Sequence, residues 1–342
     1  MGHAIATVTG GSGDEAHYKV IAAIKTLAEA NGWTTLRYVN SGAIHELILN
    51  SSGLSGTEDI YIGFRTYQSV SGDYYNILTG VFTGYVPANS FDTQPGARLS
   101  GTPCHNNAVT YFITANAQRI AGCFKVGTPV YTHFYAGKLF PYSRPGEFPS
   151  PLVCGGNFNG AAGKRFSDTD YGFPYHGRES GYYGGSTGNV RPSYLWLRDQ
   201  AGTWRRLSHF PFYNGVAGSD ASIGSNALAN FSYLSGGDNA RALVPAGTNY
   251  QPQPIILYTT TNPTTGVFEG SVYGELDGVY GVSGFNNGVE NVLQVGGTYV
   301  DPAGLSVADH VDDILAAGGR AFVVLQDTNQ TDWRSFIALE MT

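Results

Sequence analysis

The chain has 342 residues, a formal net charge of −7 and a charged fraction of only 13%. Soluble domains carry about 25% charged residues, so much of this surface must be uncharged polar or aromatic, with 47 Gly and 23 Tyr available. The negative balance argues against nucleic-acid binding, which needs clustered Lys and Arg. No segment approaches the roughly 20 apolar residues that cross a bilayer, so membrane insertion is not expected.

The three cysteines indicate the compartment in which the protein is made. Cys104, Cys123 and Cys154 are odd in number, far apart and without CxxC spacing. We interpret them as buried thiols of a protein synthesised in a reducing cytoplasm. The first twenty residues lack a charged segment followed by an apolar run, so a secretory signal is not expected.

Residues 1–90 predict a small α+β domain. Ser12 and Glu15 have the spacing of a capping box that would open a helix, and Asn31-Gly32 would close it. Alternating and β-branched segments bounded by turn residues then predict strands. The apolar face of the helix comprises Val20, Ile21, Ile24, Leu27 and Ala28, and the strands are predicted at 34–39, 44–49, 59–66 and 75–86.

Residues 91–103 predict a linker, because the segment is rich in turn residues and has no periodicity. Residues 104–342 then predict a mainly antiparallel β domain, built of short segments with β-branched and aromatic residues. The expected strands are 109–116, 118–126, 130–139, 194–198, 203–209, 254–260 and 269–282.

The C-terminal region predicts a second short amphipathic helix. Ser306 and Asp309 would cap it, Ile314 and Leu315 would lie on its apolar face with Val307 and Val311, and Gly318-Gly319 would end it. A closing hairpin is predicted to pair residues 321–326 with 333–340. No repeat of fixed period is visible, so solenoids and propellers are not expected.

Residues 141–192 form a segment rich in Gly, Tyr, Pro, Asn and Ser without regular periodicity. A loop of this length is normally functional or disordered, and disordered segments are poor in aromatic residues. We therefore predict an ordered excursion that contacts neighbouring subunits. The alternative is a lid that folds back on its own domain. The candidate inter-subunit contacts are Phe158, Phe166, Tyr171, Phe173, Tyr175, Tyr182 and Tyr183.

Two glycine-rich motifs lack the context that their chemistry requires. Residues 184–188 (GGSTG) match the nucleophile elbow of hydrolases, but no strand precedes Ser186 and no helix follows it. Residues 10–13 (GGSG) precede a helix as a phosphate-binding loop does, but Asp14 and Glu15 would repel a phosphate. We expect neither hydrolase activity nor phosphate binding.

Acidic and histidine residues likewise indicate no catalytic or metal site. Asp168, Asp170 and Glu179 have the outline of a calcium loop, but Phe173 occupies the place of its turn glycine. An ion bridging this loop remains an alternative, as does a glycosidase carboxylate pair among Asp168, Asp170, Glu179 and Glu147. The eight histidines show no metal-binding spacing, and His133 lies in an aromatic strand. We predict no catalytic residue, no cofactor and no metal ligand.

Several segments together resemble a family of tailed-bacteriophage virion structural proteins. They are residues 53–63 (GLSGTEDIYIG), 111–120 (YFITANAQRI), 134–142 (FYAGKLFPY), 145–153 (PGEFPSPLV) and 280–291 (YGVSGFNNGVEN). The resemblance extends from about residue 53 to 340, and Ala121-Gly-Cys123 departs from the aromatic or aliphatic residues of the family pattern. It implies a component of the tail, baseplate or neck, and it assigns no active-site residue.

The resemblance implies a virion protein made in the bacterial host cytoplasm. Its partners would be copies of itself, as a homo-oligomer, and other phage structural proteins. Two other functions also fit the aromatic loops: a tail protein that binds host glycan, and a tail enzyme that degrades it. The first differs from an architectural subunit in keeping its loop aromatics exposed in the assembled particle, and the second in releasing reducing ends.

Overall fold

The computed structural model describes residues 1–11, 13–127, 130–142, 151–165, 168, 174–175, 178–179, 190–191, 194–199, 202–207, 252–261, 268–282, 314–317, 320–326 and 336–341. Within these ranges the chain forms one α-helix, α1 (Ala16–Glu29), and 21 strands. The strands are β1 (Gly2–Thr9), β2 (Thr34–Ser41), β3 (Ile44–Ser51), β4 (Ile60–Ser69), β5 (Tyr74–Phe82), β6 (Arg98–Cys104), β7 (Ala108–Asn116), β8 (Arg119–Lys125), β9 (Tyr131–Lys138), β10 (Phe140–Pro141), β11 (Leu152–Gly156), β12 (Phe158–Asn159), β13 (Arg178–Glu179), β14 (Val190–Arg191), β15 (Tyr194–Arg198), β16 (Trp204–Leu207), β17 (Pro252–Thr261), β18 (Phe268–Val282), β19 (Ile314–Ala317), β20 (Arg320–Gln326) and β21 (Phe336–Glu340).

The strands form three large sheets, and every described pairing is antiparallel. The N-terminal sheet has the order β12-β6-β5-β4-β3-β2, and the central sheet has the order β1-β7-β8-β9-β11-β15-β16. The C-terminal sheet has the order β10-β18-β21-β20-β19, with β17 paired to β18. Strands β13 and β14 make a separate pair. The mainly antiparallel β architecture predicted from the sequence is confirmed at this level.

The central sheet is buried on both faces, which makes the fold a stack of three β layers. Ile113 on β7 and Phe134 on β9 belong to one core, which they share with α1 and the N-terminal sheet. The adjacent residues of the same strands, Phe112 and Tyr135, belong to a second core with the C-terminal sheet. Because successive side chains of a strand point to opposite faces, one strand can serve two cores.

Helix α1 lies in the first core and buries the face that the sequence predicts, with Leu27 only partly buried. Its start differs from the prediction. Glu15 is the N-cap and makes no side-chain capping bond, while Ser12 lies outside the described residues. The helix stops before Gly32, which adopts a φ of +91° that favours glycine.

The predicted linker at 91–103 is wrong, because this segment is part of the fold. Strand β6 lies between β5 and β12, and Phe91 is fully buried. The Phe91 ring lies against Gly63 and Gly80, where a Cβ atom would come within 3.0 Å of it. Turn residues therefore shape only part of the segment, as in the turn closed by Ala97 N and Gln94 O at 3.1 Å.

The predicted division into a domain of residues 1–90 and a domain of residues 104–342 also does not hold, because the first strand pairs with a strand of the second range. β1 pairs along its whole length with β7, from Gly2↔Ala115 to Thr9↔Ala108. The core that contains α1 includes residues of β3, β4, β7, β8 and β9. The segments on the two sides of 91–103 thus share one core.

The predicted second helix is wrong over the part of its range that the structure describes. Ile314–Ala317 form strand β19, which pairs with β20 from Ile314↔Val323 to Ala317↔Arg320, and residues 306–313 lie outside the described ranges. Two glycines separate Ala317 from its partner Arg320, and such a dipeptide favours a tight hairpin as well as a helix stop. The predicted closing hairpin is confirmed as the pairing of β20 with β21.

Candidate functional site

Two of the seven predicted contact residues are described, and both are buried within this chain. Phe158 covers Gly101 of the neighbouring strand and is 3% exposed. Tyr175, also 3% exposed, donates its hydroxyl to the Phe134 carbonyl at 3.2 Å. These two rings thus behave as the lid alternative requires. The other five, Phe166, Tyr171, Phe173, Tyr182 and Tyr183, lie outside the described residues.

The acidic loop is only partly described. Asp168 Oδ2 accepts a hydrogen bond from Arg165 N at 2.9 Å, which is a turn contact. Asp170 and the 184–188 motif lie outside the described ranges, as does the side chain of Glu179. Within the described residues no group of three or more His, Cys, Asp or Glu is placed to hold a metal ion. In the same ranges, no helix has the length and apolar character needed to cross a membrane.

The turn at 116–119 between β7 and β8 is a junction of all three layers. Trp33, just after α1, donates its indole N–H to the Asn116 carbonyl at 2.7 Å. Ser51, at the end of β3, donates its hydroxyl to the Ala117 carbonyl. The turn is thereby bound to the N-terminal sheet on one side, and the C-terminal sheet holds its other side.

The contact with the C-terminal sheet centres on Asp277 of β18. Its Oδ2 accepts hydrogen bonds from Asn116 Nδ2 at 2.6 Å and from Gln118 Nε2 at 2.8 Å. Arg119 Nε lies 3.5 Å from the same oxygen. The Arg119 side chain is 0% exposed, and its Nη1 donates to Thr114 Oγ1 at 3.1 Å. One carboxylate therefore balances a buried cation and joins two sheets, an arrangement that fixes how the layers fit together.

A cluster of histidines and tyrosines lies at the N-terminal end of α1. His17 is fully buried and donates from Nε2 to Gln68 Oε1, while Gln68 Nε2 donates to the Tyr18 hydroxyl at 2.7 Å. The Tyr18 ring stacks on His45 with centroids 4.0 Å apart. His17 Nδ1 is buried without a hydrogen-bond partner. The pKa of His17 is lowered to about 4, mainly by burial, with smaller lowering contributions from the nearby His45 and His105.

His17 should make the fold sensitive to acid. An unfolded histidine has a pKa of about 6.5, so between that pH and about 4 the unfolded chain binds a proton that the folded chain excludes. The contribution of neutral His17 to the free energy of unfolding is fully present above pH 6.5. It is lost as the pH drops through this window, by about 3 kcal/mol in total. We expect His17→Phe to flatten this part of the profile, measured by urea unfolding at several pH values. The exposed His3, changed to Gln, serves as the control, and an unchanged His17→Phe profile would contradict the assignment.

The cysteines are buried thiols, as the sequence predicts. Burial raises the pKa of Cys104 and of Cys154 to about 12, so neither is a thiolate at neutral pH. Cys123 Sγ lies 3.8 Å from His133 Nε2, a pairing that nucleophilic enzymes use. Both residues are 0% exposed, however, so a substrate cannot reach the sulfur in this structure. We interpret the pair as core packing.

One end of the N-terminal sheet carries exposed apolar side chains. The β2–β3 and β4–β5 turns lie at the same end, because successive antiparallel strands reverse direction. Val70 in the second turn is 75% exposed, Ile44 beside the first is 57% exposed and Val39 is 40% exposed. We call these three residues the hairpin end. Clustered exposed apolar residues mark interaction sites more often than scattered ones do.

The comparisons with known proteins add no family assignment. The sequence matches no protein-family model, and a search of curated proteins gives no significant match. The resemblance to phage virion proteins therefore stays a prediction from the sequence.

Proposed function

We propose that the protein is a structural component of a tailed-phage virion, in the tail, baseplate or neck. It acts by subunit–subunit packing in a ring or multi-protein assembly, with copies of itself and other phage structural proteins as partners. The sequence resemblance supports this proposal, as does a three-layer β fold in which described polar clusters serve packing. We assign no catalytic residue and no cofactor.

The hairpin end is the observation that carries the proposal. Val39, Ile44 and Val70 are exposed at one end of a sheet whose other large apolar residues are buried or partly buried. Covering apolar surface is worth roughly 25 cal/mol per Å², so a neighbour docked on this end would gain free energy. A subunit that functions only when assembled has a reason to keep such residues exposed.

Edge strands provide a second means of association. Within the described residues β1 pairs only with β7, and β2 pairs only with β3. An edge strand offers unpaired N–H and C=O groups to another chain. Ile5 on β1 is 38% exposed, and β1 contains no charged residue that would discourage another strand from pairing with it. Strand addition between neighbours is thus compatible with the fold.

The low charge also fits a surface that neighbours cover. Interface cores are depleted in charged residues and enriched in Tyr, Trp, Phe and Arg. This chain has 13% charged and 13% aromatic residues. The same composition would suit a glycan-binding tail protein, which is the other candidate.

The proposal predicts that the protein is present in purified particles in a fixed ratio to other virion proteins, measured by quantitative mass spectrometry. Ile44→Asp with Val70→Asp is expected to reduce incorporation at least tenfold while the monomer still folds. Leu54→Asp is the matched control, because Leu54 is 63% exposed but lies in the β3–β4 loop at the opposite end. Particles without the protein would refute the proposal, and equal incorporation of both variants would exclude the hairpin end.

A further inference from the structure

Asparagine is followed by glycine at four places in the sequence, at Asn31, Asn159, Asn214 and Asn287. In such a pair the backbone N–H of the glycine can attack the side-chain amide of the asparagine, because glycine has no side chain to obstruct the approach. The structure describes the first two pairs, and the other two lie outside the described residues. The two described pairs differ in what holds the glycine N–H, which is the attacking group.

The Asn159-Gly160 pair is held by the N-terminal sheet. Asn159 belongs to β12 and pairs with Ser100 of β6. Gly160 N donates a hydrogen bond to the Leu99 carbonyl at 3.1 Å. An N–H held in this way becomes available only when the structure opens locally, so the fold should slow the attack on Asn159.

The Asn31-Gly32 pair lies in the turn that follows α1 and lacks this protection. The N–H groups on either side of the glycine, those of Asn31 and Trp33, both donate to the Ala28 carbonyl, at 2.9 and 3.1 Å. The Gly32 N–H between them donates no hydrogen bond within the described part of the chain. Gly32 is also exposed. The attacking group is therefore free, and the residue that carries it is open to solvent.

The Asn31 side chain contributes to the contact between α1 and β1. Its Nδ2 donates to the Leu27 carbonyl at 2.8 Å. It also lies directly over Gly2 of β1, where a Cβ atom would come 2.5 Å from the same nitrogen. A carboxylate cannot donate to a carbonyl, and a negative charge at the C-terminal end of a helix is unfavourable. Converting this amide to a carboxylate would therefore weaken the end of α1.

We propose that Asn31 is a site of spontaneous deamidation, and that its conversion loosens the attachment of α1 to β1 and to the 116–119 turn. Gly32 N attacks Asn31 Cγ, and the amide nitrogen leaves as ammonia with the proton that the backbone N–H gives up. Water then opens the resulting succinimide at either carbonyl and yields aspartate or isoaspartate. This conversion would occur whether or not the protein is a virion component.

Isoaspartate would disturb the 116–119 turn more than aspartate would, because it inserts the side-chain methylene into the backbone. Gly32 lies against this turn, and a Cβ atom on it would come 3.1 Å from Ala117 Cβ. The next residue, Trp33, donates its indole N–H to the Asn116 carbonyl. A longer backbone between α1 and Trp33 would displace both contacts.

The test incubates the full chain at mildly alkaline pH, where hydroxide speeds removal of the backbone proton, and then measures tryptic peptide masses over time. The tryptic peptide 26–37 has Asn31 as its only Asn or Gln, so a mass gain from exchange of NH2 for OH reports conversion there. Asn31 is expected to convert about tenfold faster than Asn159 in the native protein, because Asn159 must await local opening. In urea, where the native hydrogen bonds are lost, both should convert at similar rates.

A second measurement tests the effect of the conversion on the fold. Chains converted at Asn31 carry one additional negative charge, separate by anion exchange and are assigned by the same peptide masses. Their urea midpoint should be lower than that of the unconverted chain, and Asn31→Asp should reproduce the part due to the charge and the lost donor. Asn159→Asp is the matched control and should keep the original midpoint, because Asn159 is exposed.

Equal native rates at the two asparagines would overturn the assignment of the site, because the free Gly32 N–H would then have no influence. An Asn31 that converts in urea but stays intact in the native chain would overturn it as well. A chain converted at Asn31 that unfolds at the original midpoint would overturn the loosening of α1.

Discussion

Replacing Asp277 by alanine is expected to lower the free energy of unfolding by about 3 kcal/mol. The change removes the acceptor of the Asn116 and Gln118 side chains and leaves the Arg119 cation buried without its counter-charge. Breaking a buried ion pair on one side typically costs about 3 to 5 kcal/mol. The lower end applies here because the Asp277 side chain is 21% exposed.

Chemical denaturation of Asp277→Ala and of the double variant with Arg119→Met provides the measurement. Removing both charges should recover much of the loss, because a methionine fills the space without needing a partner. A double variant that is less stable than Asp277→Ala would show that the arginine contributes mainly through its packing. An Asp277→Ala protein as stable as the wild type would contradict the role given to this carboxylate.

Phe91→Ala is expected to destabilise the fold by about 3 to 5 kcal/mol, the usual cost of truncating a buried phenylalanine. The ring is fully buried and meets Phe82 edge-to-face with centroids 5.3 Å apart. It also fills the space left by Gly63 and Gly80. Its removal would leave a cavity that neighbouring strands, which are fixed by hydrogen bonds, cannot close.

The same denaturation experiment on Phe140→Ala provides the control for Phe91. Phe140 is 53% exposed, and its truncation should change the free energy of unfolding by no more than about 0.5 kcal/mol. If Phe91→Ala were equally mild, residues 91–97 would behave as the linker predicted from composition.

The sequence predicts most described strands and the helix because their patterns are local. Strands β2 to β5 and β7 to β9 lie within a few residues of the predicted ranges. The apolar face of α1 is readable because Val20, Ile21, Ile24 and Ala28 recur at helical spacing. Where the apolar residues of one segment recur at helical or strand spacing, the element can be identified without knowing its distant contacts.

The elements that the sequence does not reveal depend on distant partners. β6 reads as a linker because it contains Gly101 and Pro103, yet Gly101 is required so that the Phe158 ring can lie across it. β1 has Ile5 and Val8 as its only large aliphatic residues, and its strand structure comes from its pairing with β7. Gly318-Gly319 fits two structures equally, and the strand pairing of β19 decides between them.

The candidate site likewise has features that a local sequence pattern predicts and features that depend on distant residues. Aromatic density at 141–192 is visible in the sequence, but composition cannot distinguish a ring buried by its own chain, such as Tyr175, from one offered to a neighbour. The stacking of Arg98 on Trp196 joins two strands that are far apart along the chain, so no local sequence pattern indicates it.

The pairing of β1 with β7 also has a consequence for synthesis on the ribosome. β1 is translated about a hundred residues before its partners, residues 108–115. At roughly 5 to 20 residues per second, the nascent strand waits on the order of 5 to 20 seconds before β7 has been made. During that time its backbone donors and acceptors are open to other nascent chains. Expression at lower temperature or with a holdase chaperone should therefore improve the soluble yield more than changes to the folded surface would.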